Sequence, residues 1–169
     1  MSSRIHLIAW LTCLAIASPA GLAAEKPKSN ADAAFARLAA LVGEWKTDDG
    51  KASLTYELTA GGTAILEREI GEGRPPMLTL YHRDGERLLL THYCMAGNQP
   101  RMVAQPFDAA AGELVFTFLD ATNLANAAAG HMHNVKMRFV DANHLESEWQ
   151  FYENGKATMT ERARYARVR

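Results

Sequence analysis

The sequence predicts an all-β fold, an antiparallel up-and-down barrel of roughly ten strands preceded by one short helix. Three observations carry this. Turn residues recur at a regular beat from Asp48-Asp49-Gly50 to Glu153-Asn154-Gly155. The segments between them run five to ten residues and alternate in polarity, which is the half-buried strand pattern. Nearly all connections are short, and sequential hairpins close most simply into a barrel without exposed edges.

The elements follow in order. Residues 1–24 read as a secretory signal: Arg4 and His6 lead an apolar run from Leu7 to Ala17, and Ser18-Pro19-Ala20-Gly21-Leu22-Ala23-Ala24 offers small residues for cleavage. The run is too short to serve as a membrane anchor, so a periplasmic or secreted protein is expected, with no membrane span once the signal is removed. Cys13 leaves with it. Residues 25–30 form a polar linker, and residues 31–169 one domain. The mature chain keeps 145 of the 169 residues, enough for one stable core. Losing Arg4 takes the formal charge from −1 to −2. No basic patch points to nucleic acid.

Phe35, Leu38, Leu41 and Val42 recur at helical spacing over 31–42, with Asn30 or Asp32 as cap and Gly43 as terminator. Strands are predicted at 44–48, 51–59, 63–70, 77–82, 87–95, 101–106, 113–119, 132–140, 144–152 and 156–166. Gly, Asn and Asp in the turns tolerate positive φ. The longer link Asp120 to Gly130 is expected to hold a helical turn and cover one end.

Period-two parity orients the side chains. Leu54, Tyr56 and Leu58 share a face, as do Leu114, Phe116 and Phe118, and Leu145, Trp149 and Phe151. His131 and His133 fall in line with the apolar Val135, Met137 and Phe139, and so are expected inside. His92 and Cys94 share a face with Leu88 and Leu90, although both faces there are apolar. Arg68 aligns with Leu66 and Ile70, and Glu161 with Met159 and Tyr165. An inward Arg and an inward Glu are each costly alone, so Arg68 and Glu161 are expected to pair or to hold a polar ligand group.

Leu41-Val42-Gly43-Glu44-Trp45, a Gly-x-Trp after a short helix, resembles the entry of the calycin barrels, the lipocalins and their relatives. That resemblance implies a Trp plugging the closed end under an Arg from the last strand, with Arg162, Arg164 and Arg167 as candidates. The chain more specifically resembles a group of secreted bacterial calycin-like proteins of unknown function. The segment Leu90-Thr91-His92-Tyr93-Cys94 followed by Gly97-Asn98-Gln99-Pro100 carries this likeness, with Asn123-Leu124 and His131-Met132-His133. Nitrobindin, a haem-binding ten-stranded barrel, is a more distant likeness, with no haem histidine assigned here.

The run Thr91 to Met102 crowds an imidazole, a phenol, a thiol, two amides and a guanidinium at a strand end, where binding chemistry concentrates. Three readings compete. A small-molecule pocket would use His92, Cys94, Asn98, Gln99, Arg101, His131 and His133, with Arg68 and Glu161. Against it, Asn98 and Gln99 are residue types that often satisfy turn backbone. A haem or a transition metal (zinc or copper) would use His92, Cys94, His131 and His133 if their strands converge. An enzyme would use Cys94 as nucleophile with His131 or His133 as base; no nucleophile elbow or phosphate loop supports it. Cys94 is the single cysteine of the mature chain, so it has no intrachain disulfide partner. Met77, Met102, Met137 and Met159 read as core fillers.

Overall fold

The computed structural model describes residues 29–168, which form one α-helix, a single 3-10 turn at Ala60–Gly62 and ten strands. The signal and linker predicted at 1–24 and 25–30 lie outside the described residues, apart from Ser29 and Asn30. Helix α1 (Asn30–Ala39) is capped by Ser29, whose hydroxyl accepts the Asp32 N–H at 3.1 Å. The cap is therefore neither Asn30 nor Asp32. Asp32 instead sits in the first turn, where its charge suits the N-terminal end of the helix dipole.

The strands are β1 (Gly43–Thr47), β2 (Ala52–Thr59), β3 (Ala64–Gly71), β4 (Met77–Asp84), β5 (Arg87–Tyr93), β6 (Gln99–Ala104), β7 (Glu113–Thr122), β8 (His131–Phe139), β9 (His144–Glu153) and β10 (Lys156–Arg167). Each pairs antiparallel with its predecessor, and β1 pairs with β10 to close the ring. The all-β ten-stranded barrel with one N-terminal helix is the predicted architecture. The link after β7 holds turns and no helix; Asn154 N–H donates to Ala128 O and ties it to the β9–β10 turn.

Helix α1 seals one end. Its buried Ala31, Ala34, Phe35 and Leu38 join Leu41 and Trp45 in the core. Trp45 is fully buried and donates its indole N–H to Leu41 O at 2.7 Å. Arg167 lies 4.3 Å over the indole ring and donates to Ala40 O, Val42 O and Ala142 O. It is thus the arginine of the Gly-x-Trp resemblance. Arg162 and Arg164 instead pair with Glu148 and Glu146.

Two inferences from parity are corrected. On β3, Ile65 and Glu67 are buried, while Arg68 and Ile70 are exposed. The barrel thus takes the Ile65, Glu67, Glu69 face of β3 inside and leaves Arg68 in water. Aliphatic residues occupy both faces of this strand, so apolar parity alone does not choose between them. On β8, a bulge at His133 leaves Met132 opposite Phe151 and Asn134 opposite Gln150. An extra residue breaks the alternation: His131 is buried as expected and His133 only half-buried, but it is Met132 that lines the cavity beside His92.

Closure is uneven. β1 has five residues and meets β10 only at Tyr165, Ala166 and Arg167. Among the described residues the earlier part of β10 has β9 as its only strand partner. This leaves a slit beside the earlier part of β10, bounded by the β1–β2 and β3–β4 turns, whose Asp49, Glu72 and Arg74 line one cavity together with Glu161 of β10.

Candidate functional site

Arg74, in the β3–β4 turn, spans this slit. One guanidinium nitrogen donates to Glu161 on β10 at 2.9 Å, and another to Glu69 on β3 at 3.0 Å. The inward Glu161 is as expected, but its partner is Arg74 rather than Arg68. Outside the bridge lies a cavity of about 250 Å³ lined by Asp49, Lys51 and Glu72 among others. Inside lie two cavities of about 10 Å³ each. Glu161, Ala163 and Tyr165 line both the outer cavity and the inner one beside His92.

His92 occupies the open half of the interior because Leu88 and Leu90, on the same β5 face, are packed into the core. It is 3% exposed. Its Nδ1 is 3.0 Å from Thr79 Oγ1, directly opposite on β4. Its ring lies 4.8 Å from Trp149. Its Nε2 is buried and has no hydrogen-bond partner among the described residues. Burial pushes its pKa down to about 4, so the ring is neutral at physiological pH.

Deeper in, Glu67 accepts a hydrogen bond from Tyr81 Oη at 2.6 Å. Burial raises its pKa to about 7, although hydrogen bonds from Tyr81 and Tyr56 pull the other way. Burial likewise raises the pKa of Glu69, against the opposing pull of Arg74.

The other predicted residues are placed as follows. Cys94, just past β5, is half-buried, and its sulfur accepts from Ala96 N–H at 3.5 Å. Burial raises its thiol pKa, opposite to the shift that activates a nucleophile. Among the described residues no hydrogen bond joins Cys94 to a histidine. Asn98 donates to Gly130 O at 2.9 Å, and its Oδ1 is buried without a partner among the described residues. Gln99 donates to Gly97 O and accepts from Thr122. Arg101 forks onto Asp120 at the surface. Gln99 and Arg101 hold the mouth turns and their neighbours in place, and Asn98 fastens one turn to the start of β8.

His131 and His133 form a separate aromatic group. His131 Nδ1 donates to Ala129 O at 2.8 Å, and its Nε2 lies 3.0 Å from His133 Nδ1. His133 stacks between Phe118 and Tyr152, with centroids at 4.6 and 4.0 Å. Neither lines the cavity beside His92. Among the described residues no three His, Cys, Asp or Glu side chains gather closely enough to hold a metal. The expected four-donor set of His92, Cys94, His131 and His133 is therefore not assembled.

Sequence reasoning missed Glu67, Glu69, Arg74, Thr79 and Met132. Ile65, Glu67 and Glu69 at period two carried a signal for the first two. Arg74 sits in a turn and carried none.

No protein-family model matches the chain, and no curated protein matches it. Solved structures that share its fold include the following two. A protein of unknown function from the DUF3598 family of Nostoc punctiforme is 13% identical, with a TM-score of 0.53 over 78% of this chain and 49% of the other. The chain thus spans about half the length of that protein. Rv2717c from M. tuberculosis is 15% identical, with a TM-score of 0.54 over 80% of this chain and 98% of the other. At these identities the likeness concerns the fold alone: the chain is a closed ten-stranded antiparallel barrel similar to these two proteins.

Proposed function

We propose that the barrel is a periplasmic or secreted ligand-binding protein whose site is the interior beside His92, entered through the slit that Arg74 spans. The observation that carries this reading is the orphan nitrogen of His92: its Nε2 is buried, partnerless and beside a cavity. A buried unsatisfied polar atom costs about 1–3 kcal/mol and calls for a specific explanation. A ligand atom answers that need.

The surroundings agree. Glu69, Glu161 and Arg74 set charged groups at the entrance, and Met77, Met132 and Trp149 give apolar walls. A few polar groups in a mostly apolar lining is the usual composition of a small-molecule site. The inner cavity of about 10 Å³ has room for one water-sized guest. A larger guest requires Arg74 to release its carboxylates and merge the inner and outer cavities. A haem macrocycle far exceeds the interior space. The raised thiol pKa of Cys94 disfavours nucleophilic chemistry.

Native mass spectrometry of the purified protein, beside His92→Leu, tests the proposal. The expected result is a bound species retained by the native chain and lost from the variant. An empty native chain, together with a His92→Leu variant at least as stable, would sink it.

A further inference from the structure

We propose that the cavity beside His92 is a site for a soft monovalent metal ion, Cu(I), held by His92 Nε2 and the thioether sulfurs of Met77 and Met132. This rests on the ligand-binding reading above and names the class of ligand.

The fold brings the three side chains to one place from three strands. Thr79 on β4 is directly opposite His92 on β5, and Met77 is two residues before Thr79 on the same face. Met132 comes from β8, delivered inward by the bulge at His133. All three line one cavity of about 10 Å³, the space of a single water and so of a single ion. Met77, His92 and Met132 are 5%, 3% and 7% exposed, so an ion there is shielded from bulk water.

The donor chemistry selects the metal. Two thioethers and one imidazole are neutral, soft or borderline ligands. Thioethers favour Cu(I), whereas magnesium and calcium prefer oxygen ligands. No thiolate is needed, so the protonated Cys94 is not required. When His92 Nδ1–H donates to Thr79 Oγ1, Nε2 presents its lone pair to the cavity. A second ring nitrogen held in this way is the usual support of a metal-binding histidine. Trp149, whose ring lies 4.8 Å from that of His92, adds an aromatic wall that tolerates a cation.

Charge points the same way. Glu69 and Glu161 line the cavity, and Arg74 pairs with both. Two carboxylates against one guanidinium leave one negative charge when both are ionised, which a monovalent cation neutralises. Methionines as flexible packing account for Met77 and Met132. They leave the unpartnered His92 nitrogen unexplained, and the ion explains all three.

The test titrates the purified full chain with Cu(I) against a chromophoric chelator under anaerobic conditions, and with Ag(I) as a redox-inert probe. Met77→Leu and Met132→Leu nearly conserve volume, and Cys94→Ser controls for a thiolate site. The expected result is one ion per chain, with affinity reduced by roughly 10- to 100-fold or more in each Met→Leu variant and retained in Cys94→Ser. In the unmutated protein, the ε-methyl NMR signals of Met77 and Met132 should shift on adding Ag(I), a readout independent of the variants' folding. Affinity that survives both Met→Leu changes, affinity lost with Cys94→Ser, or unmoved methyl signals each overturn the assignment. If neither ion binds but an organic species is retained, this inference fails and the ligand-binding reading stands. If the protein binds nothing, both fail.

Discussion

Replacing Glu67 by glutamine separates two opposing titrations inside the barrel. Burial raises the Glu67 pKa from 4.5 to about 7, so between these values the folded chain keeps a proton that the unfolded chain has released. Stability therefore falls as pH rises through this window. At about 1.4 kcal/mol per unit, the total is about 3 kcal/mol. His92 acts in the opposite sense. Its pKa falls from 6.5 to about 4, so the unfolded chain takes up a proton that the folded chain refuses. Raising the pH from about 4 to 6.5 therefore adds stability, again by about 3 kcal/mol. The two slopes nearly cancel where the windows overlap.

In Glu67→Gln the new amide can still accept from Tyr81 but carries no charge. The stability difference, Glu67→Gln minus native, should be flat below about pH 4.5, rise by about 3 kcal/mol up to about pH 7, then level off. Groups common to both proteins drop out of this difference. Urea unfolding across the range measures it, and the matching displacement in Tm is roughly 6–12 °C for a domain of this size. The variant alone should show the rise belonging to His92. A difference independent of pH would refute the buried, proton-retaining carboxyl.

Two further outcomes are expected. Arg167→Met removes donors to Ala40, Val42 and Ala142 and the cation over Trp45; it should cost about 2 kcal/mol and perturb the near-UV circular dichroism of Trp45, whereas an unchanged Tm would contradict the plug. Cys94 should alkylate more slowly at neutral pH than a free thiol, because burial raises its pKa, and unfolding should abolish the difference; rapid labelling of the folded chain would contradict it.

The candidate site was less legible than the barrel. Glu67 and Glu69 share the period-two face of Ile65, but burying carboxylates is costly in isolation, and the competing face offered Leu66 and Ile70. Tyr56 opposite Glu67, Tyr81 opposite Ile65 and Arg74 from the next turn make the polar face the inner one. His131 and His133 keep the parity of Val135 in the sequence, yet one bulge residue puts Met132 at the cavity. Such a shift leaves no local mark, because it is set by how β8 registers against β9.

By itself the sequence determined the helix, the ten strands and their order. Those depend on local chemistry: turn residues that accept positive φ, and polarity alternating at the pleat's own period. Tertiary structure decided which face of β3 and β8 turns inward, that Arg74 bridges the slit to Glu161, and that His92 is left with an unpaired nitrogen. These depend on contacts between residues distant in the chain, where register and closure, rather than local preference, choose the partner.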